Sequence, residues 1–294
     1  MLHFLQTLDR RWIFLAMGLA VAVPILLESR FPEKATAIAE RAFDTINDLP
    51  DGSRVLLAFD FDPASEPELG PMATSLVRHC AMRGYKMYFI TLWPFGPQMV
   101  SDKIREVILA DFPALVEGTD WVNLGFQAGN EAIMTQAKSD FKRTFPRDVR
   151  GIAVAQIPMM TDIRTTRDFA CLIAVSAGYP GGKEWVQYVV TPERGSATPL
   201  RAVVGCTGVQ TPQLFPYYPG QLDGLIGAIK GAAEYETLVN ADAERRNPGA
   251  PVPAKYLEAV RRMGPQMVAH VLMVSLIVLG NVIFFVGRRR GAGA

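Results

Sequence analysis

Hydrophobic positions along this chain fall into two kinds of run. Two runs are long and uncharged: Trp12 to Leu27, "WIFLAMGLAVAVPILL", and Met267 to Val286, "MVAHVLMVSLIVLGNVIFFV". At about 1.5 Å per residue the first reaches about 24 Å, slightly short of a hydrocarbon core of about 30 Å, and the second is a full-length span. Five other runs are short and rich in β-branched and aromatic residues: Arg54 to Asp60, Lys86 to Leu92, Asp120 to Phe126, Phe169 to Ser176 and Leu200 to Cys206. They lack an inside-outside alternation, as expected of parallel strands buried on both faces. Between them lie stretches with apolar residues at three-to-four spacing, the last being "GQLDGLIGAIKGAAEYETLV". Gly84 is placed to stop the first of these helices. Repeated strand-helix alternation predicts a doubly wound, mostly parallel α/β sheet of about five strands, Rossmann-like, flanked by two transmembrane helices.

The expected organisation is a short basic tail (1–11), a first span (12–27), a partly helical linker (28–50), the α/β domain (51–239), a Pro/Gly-broken linker (240–266), a second span (267–286) and a basic tail (287–294). Hydrophobic residues make up 49% of the 294 residues while charged residues stay at 20%, so the apolar excess is local to the spans. A signal peptide would explain the first span equally by charge, with Arg10 and Arg11 ahead of it, but no small-x-small cleavage site follows "LLESRFPEK". Arg10 and Arg11 beside the first span and Arg288, Arg289 and Arg290 beside the second place both termini in the cytoplasm and the domain outside. Arg30, Lys34, Arg41, Lys255, Arg261 and Arg262 flank the spans on the other side and weigh against that orientation.

Net charge changes the picture by exclusion. A formal charge of +1 with no Lys/Arg run interleaved with aromatics offers no field for nucleic acid. Three cysteines, Cys80, Cys171 and Cys206, are odd in number and lack CxxC spacing, which argues against a disulfide framework and a zinc site and for buried small hydrophobes.

Several segments together, "LDRRWIFL", "VLLAFDFDPASEPELGPMA", "YFITLWPFGP", "WVNLGFQAG", "KEWVQYV", "GQLDGLIGAIKGAAEYE" and "VLGNVIFFVGRRR", carry a resemblance. The chain resembles a group of bacterial membrane proteins with no established activity, in which a Rossmann-like domain sits between N- and C-terminal transmembrane helices. The resemblance implies this architecture only and no catalytic residue; the expected location is a bacterial inner membrane.

Candidate chemistry gathers where the fold would put it. Ligands in open α/β sheets bind at the carboxyl ends of the strands, which selects Asp60, Asp62, Thr91, Trp93, Asn123, Ser176 and Thr207. Asp60-x-Asp62 with Thr91 looks like the start of a haloacid-dehalogenase-type phosphatase, but the fourth strand ends "VSAG" where such enzymes carry acidic residues. The favoured reading is structural: Asp60 closes a strand and Asp62 caps the turn at Pro63. "AGYPGGKE" approaches a phosphate-binding loop through Gly181, Gly182 and Lys183, yet Glu184 stands where Ser or Thr should ligate Mg²⁺. His79, the domain's one histidine, lies within a helix and has no G-x-S-x-G elbow to serve. It reads as a helix-surface or packing residue.

Contact surfaces are the other candidates. Phe215, Tyr217 and Tyr218 stand between prolines in "LFPYYPGQ", as groups that anchor partners or form core edges. Gly224, Gly227, Ala228, Gly231 and Ala232 read as a small-residue face of the following helix. In the last span His270 and Asn281, eleven residues apart, share a face and should meet protein, while Ala16/Ala20 and Gly18/Ala22 give the first span small-xxx-small spacing. The sequence thus points to a membrane-anchored binding or assembly module with other membrane subunits or its own copies as partners, no metal and no cofactor. The alternative is an enzyme or sensor for a phosphorylated or anionic ligand at the strand ends.

Overall fold

The five short apolar runs become strands because helices cover both of their faces. In the computed structural model, which describes residues 9–27, 34–196 and 199–291, β1 (Arg54–Asp60), β2 (Lys86–Thr91), β3 (Trp121–Phe126), β4 (Cys171–Ser176) and β5 (Arg201–Cys206) are buried along almost their whole length. A sixth strand, β6 (Gly224–Gly227), completes a sheet in the order β3-β2-β1-β4-β5-β6, parallel at every pairing. This is the Rossmann strand order, with its reversal between β1 and β4.

β6 corrects the sequence reading, which placed Gly224 and Gly227 on a helix. "GLIG" is too short and glycine-rich to carry a strand signal, and its pairing with β5 sets its conformation. Gly224 meets a specific need. A Cβ there would lie 2.5 Å from Ala42 Cα, because α2 (Ala37–Asn47) is laid directly over β6. The small-residue helix face shrinks accordingly to Ala228, Gly231 and Ala232 at the start of the helix that follows β6.

Helix α2 belongs to the domain, not to a linker. Ala39, Ala42, Phe43 and Ile46 form its buried face, and its entry is fixed by Thr36, whose N–H and hydroxyl donate to Glu234 Oε2 at 3.1 and 2.6 Å. The Tyr85 hydroxyl donates to the carbonyls of Ile46 and Leu49 at 2.9 and 3.0 Å and so holds the far end of α2. The compact unit therefore runs Glu33–Ala259, longer at both ends than the expected 51–239.

The remaining crossovers are α3 (Glu66–Met82), α4 (Gly96–Lys103, continuing as a wider π-turn to Leu109), α5 (Asn130–Ser139), α6 (Phe141–Thr144), α7 (Gly182–Trp185, continuing as a π-turn to Val190), α8 (Thr211–Leu214) and α9 (Ala228–Arg246). Gly84, at φ +66°, ends α3 as its position suggests. His79 is fully buried inside that layer, stacked on Phe43 with ring centroids 4.6 Å apart and bonded through Nδ1 to the Tyr235 hydroxyl at 2.7 Å. Burial pushes its pKa down to about 3, so the ring is a neutral packing group and not a surface residue.

The second unit comprises Met1–Pro32 and Val260–Ala294. Helix α10 runs unbroken from Glu258 to Gly291, so the expected short helix and span are one element, with Pro265 inside it. Residues Glu258–Val286 are long and apolar enough to cross a membrane, by length and composition. The other expected span, α1 (Arg10–Leu26), has 17 residues with Pro24 near its end and falls short of that test; among the described residues one helix passes it, not two. Within this unit Ala16, Leu19 and Ala20 share an apolar groove of about 680 Å³ with Met267, Val268, Val271, Leu272 and Ser275. His270 and Asn281 lie outside that groove, exposed, roughly a third of a turn away. Asn281 Nδ2 donates to Ile277 O of its own helix at 2.9 Å.

Gly224→Val should lower the stability of the full chain by about 1–3 kcal/mol, because the new side chain must displace the α2 backbone. Gly249→Val lies at an open surface turn and serves as the control for a substitution strained by φ alone. Chemical denaturation followed by intrinsic fluorescence reads both; equal midpoints for Gly224→Val and wild type would show that α2 does not close on β6.

Candidate functional site

The carboxyl ends of β1, β2, β4 and β5 all open on one edge of the sheet, and the side chains there are bound to one another. Asp60 is fully buried at the end of β1. Its Oδ1 accepts from Leu92 N at 2.7 Å and lies 3.5 Å from the Thr91 hydroxyl, and its Oδ2 accepts from Trp185 Nε1 at 3.0 Å. One carboxyl group thus joins β1 to the end of β2 and to the helix that follows β4. Burial raises its pKa to about 7, and the hydrogen bonds from Leu92, Trp185 and Thr91 oppose that rise without cancelling it.

The glycine-rich loop after β4 is closed by its own residues. Gly181 N donates to Glu184 Oε2 at 2.9 Å, and Gly182 N donates to the Ser176 hydroxyl at 2.9 Å. These are N–H groups that a phosphate-binding loop would turn toward its ligand. Glu184, which stands where a phosphate-binding loop needs Ser or Thr, itself supplies the carboxyl group seated there. Both glycines answer to crowding: a Cβ on Gly181 would lie 2.4 Å from Gly178 O, and one on Gly182 would lie 2.3 Å from Val204 Cγ1. Lys183 points elsewhere, half-exposed, with Glu184 Oε1 3.8 Å from its ammonium.

The other strand-end residues have local duties. Asp62 Oδ1 accepts from Ser65 N and Oγ at 3.0 and 2.9 Å, which is the turn-capping role the sequence suggests. Asn123 Oδ1 accepts from Gly125 N at 3.0 Å inside β3. Thr207 acts through its carbonyl, which receives Gln210 N and Thr211 N. Trp93 spans the crevice, its Nε1 donating to Pro180 O at 2.7 Å. The structure therefore brings Asp60 and Thr91 together, and Ser176, Gly181 and Gly182 together, while no hydrogen bond or ion pair joins Lys183 to Asp60 or Asp62 among the described residues. Nor are any three His, Cys, Asp or Glu side chains among those residues grouped as metal ligands would be. Cys80, Cys171 and Cys206 are all buried thiols, and desolvation pushes their pKa values up.

Two participants, Trp185 and Gln210, have no signal in the sequence, and the role of a third, Glu184, differs from its expected one. Trp185 supplies a donor to Asp60 from 125 positions away. Gln210 bridges two loops, with Oε1 3.4 Å from the Ser176 hydroxyl and Nε2 donating to Gly178 O at 2.8 Å. Glu184 had a local signal: a carboxylate three residues after a glycine at a helix start has the spacing of a capping box.

Over this packed layer the loops turn apolar side chains outward. Phe95 after β2, Tyr179 after β4, Val209 after β5 and Phe215 after α8 are 63%, 58%, 83% and 48% exposed. Tyr217 and Tyr218 separate from Phe215: both are partly buried against the core, so they are core edges and Phe215 alone of the three is a surface group. Compared with known proteins, the chain matches no family model and no curated sequence.

Asp60→Asn should be most damaging in mild acid. The amide cannot accept from both Leu92 N–H and Trp185 Nε1–H, and a buried donor left unpaired costs about 1–3 kcal/mol. Native Asp60 keeps its proton up to about pH 7 whereas the unfolded chain releases it near 3.8, so this group's contribution to stability is present below pH 4 and declines as pH rises to 7. The melting temperature of the variant should accordingly lie furthest below wild type at pH 4–5 and approach it toward pH 7.5. A gap that widens with rising pH would show that Asp60 is held ionised.

Proposed function

We propose that this chain is a membrane-anchored α/β binding or assembly module, an accessory subunit of a larger membrane complex. The observation that carries this reading is the contrast at the carboxyl edge. Its polar side chains are paired with one another, whereas Phe95, Tyr179, Val209 and Phe215 face solvent from the loops above them. Exposed apolar groups on a rigid, internally bonded base suit a protein contact, in which aromatic side chains add buried area at small entropic cost. The rival, an enzyme or sensor for a phosphorylated or anionic ligand, draws no support from a loop whose N–H groups already bind Glu184 and Ser176.

Anchoring is part of the proposal. α10 supplies one span by length and composition, and α1, at about 25 Å, would complete a two-pass topology in a thin or locally compressed bilayer. The terminal arginines favour cytoplasmic ends and an extracytoplasmic domain in a bacterial inner membrane. The resemblance to bacterial two-span proteins supports the same arrangement. His270 and Asn281, exposed and outside the groove shared with α1, are then the polar groups offered to a neighbouring subunit within the membrane.

Photo-crosslinking amino acids placed at Phe95 and Val209 should capture a protein of discrete mass in intact cells, and one placed at Asp51, at the amino end of β1, should not. Equal capture at the two edges, or none at the rim, would overturn the docking face. A periplasm-dependent phosphatase reporter fused within the 247–253 turn should be active and a cytoplasm-dependent one silent; the reverse would invert the topology and leave the fold intact.

A further inference from the structure

The opposite edge of the domain holds a different kind of opening. α3 and α9 both run from the carboxyl edge of the sheet back to its amino edge, and near their ends they leave a groove of about 400 Å³, within the range of small-molecule sites. Met82, Phe112 and the turn Ala250–Pro253 give it apolar walls, and Asp111, Glu244, Arg246 and Asn247 border it. Its floor is Arg78, only 8% exposed.

Asp111 and Arg246 at this groove have ion-pair partners, whereas Glu244 and Arg78 are held by neutral groups. Asp111 binds Lys255 Nζ at 2.8 Å and the Tyr256 hydroxyl. Glu244 Oε1 accepts from Gly249 N at 2.8 Å, and Arg246 Nε meets Asp242 Oδ2 at 2.6 Å. Arg78 has no carboxylate within ion-pair distance among the described residues. Its guanidinium lies 3.9 Å over the Tyr256 ring and donates through Nη1 to Asn240 Oδ1 at 2.5 Å, both neutral partners. Its Nε and Nη2 make no hydrogen bond to a described residue. A guanidinium edge of this kind is a fork that matches a carboxylate. Burial lowers the Arg78 pKa while Asp111 and Glu236, beyond ion-pair distance, oppose that fall, and arginine keeps its proton in proteins, so Arg78 brings a positive charge to the groove.

We propose that this groove binds a monocarboxylate with a medium-length apolar chain, its head paired with Nε and Nη2 of Arg78 and its chain lying along Met82, Phe112 and the Pro251–Pro253 turn. A single negative charge suits the site better than a phosphate dianion, because Asp111 and Glu244 also border it. The geometry around Arg78 supports the site independently of any docking face at the other edge.

Equilibrium dialysis of the full chain in lipid nanodiscs against labelled octanoate, with empty nanodiscs subtracted, tests this directly. Wild type should bind one octanoate per chain saturably, and octanol should show no saturable binding. Arg78→Gln keeps a donor for Asn240 but removes the charge, and Val252→Trp fills the groove while leaving Arg78 in place; each should weaken octanoate at least tenfold. Melting temperatures near that of wild type identify folded variants, and if Arg78→Gln does not fold, Val252→Trp and octanol still decide. Non-saturable octanoate, octanol binding as tight as octanoate, or affinity unchanged by Val252→Trp would overturn the site. Octyl phosphate displacing octanoate at a lower concentration would overturn the carboxylate assignment.

Discussion

A carboxyl group out of reach of water organises the carboxyl edge of the sheet. Asp60 accepts hydrogen bonds from the loop after β2 and from the indole at the start of the crossover after β4, so the two halves of the fold meet on its two oxygens. The desolvation cost of a buried carboxyl is partly offset by those N–H donors and partly avoided by keeping a proton, which is why its pKa rises. This is the switch point of the strand order, where related topologies leave a crevice for a ligand. Here the neighbouring positions continue the same knot: Ala177 N donates to Asp60 O at 3.0 Å, Ser176 caps Gly182, and Trp93 spans the top to reach Pro180.

Such internal bonding supports the proposal that recognition takes place on the surface above it. The loops over the sheet edge are fixed from below by Trp93, Gln210 and Glu184, and so the apolar groups they carry are held outward on a firm base. Ordering a flexible loop on binding would cost entropy that this arrangement has already met in folding. At the amino edge the chemistry is reversed. Arg78 is buried on Tyr256 without a carboxylate partner, and the groove beside it remains open between apolar walls.

The helical layers show how the first and last parts of the domain are joined. α2 is drawn onto β6 by the bonds from Thr36 to Glu234 at one end and from Tyr85 to its last carbonyls at the other, and Gly224 gives it room. Between those ends His79, Phe43 and Tyr235 stack in the layer shared by α2, α3 and α9. Tyr256, bonded to Asp111 and packed on Arg78, closes the domain just before α10 begins.

The sequence by itself determined five of the six strands, the helices between them and a C-terminal helix long and apolar enough to cross a membrane, because strands buried on both faces must be continuously apolar and a bilayer-crossing helix must be both long and uncharged. It also determined the turn role of Asp62 and the stop at Gly84, since both depend on backbone within a few residues. Only the tertiary structure decided the rest. β6 is a strand because β5 pairs with it, not because Gly-Leu-Ile-Gly favours one, and α2 lost its linker status to contacts made almost two hundred residues away. The same is true of chemistry. Asp60 could be read as the end of a strand, but its proton depends on burial outweighing the hydrogen bonds from Leu92 and Trp185, and the loop at Gly181 resembles an anion site in sequence while its own Glu184 fills that place in space. Hydrogen bonds between groups distant in the chain leave no periodic trace in it, so their consequences for charge and access exist only once the chain has folded.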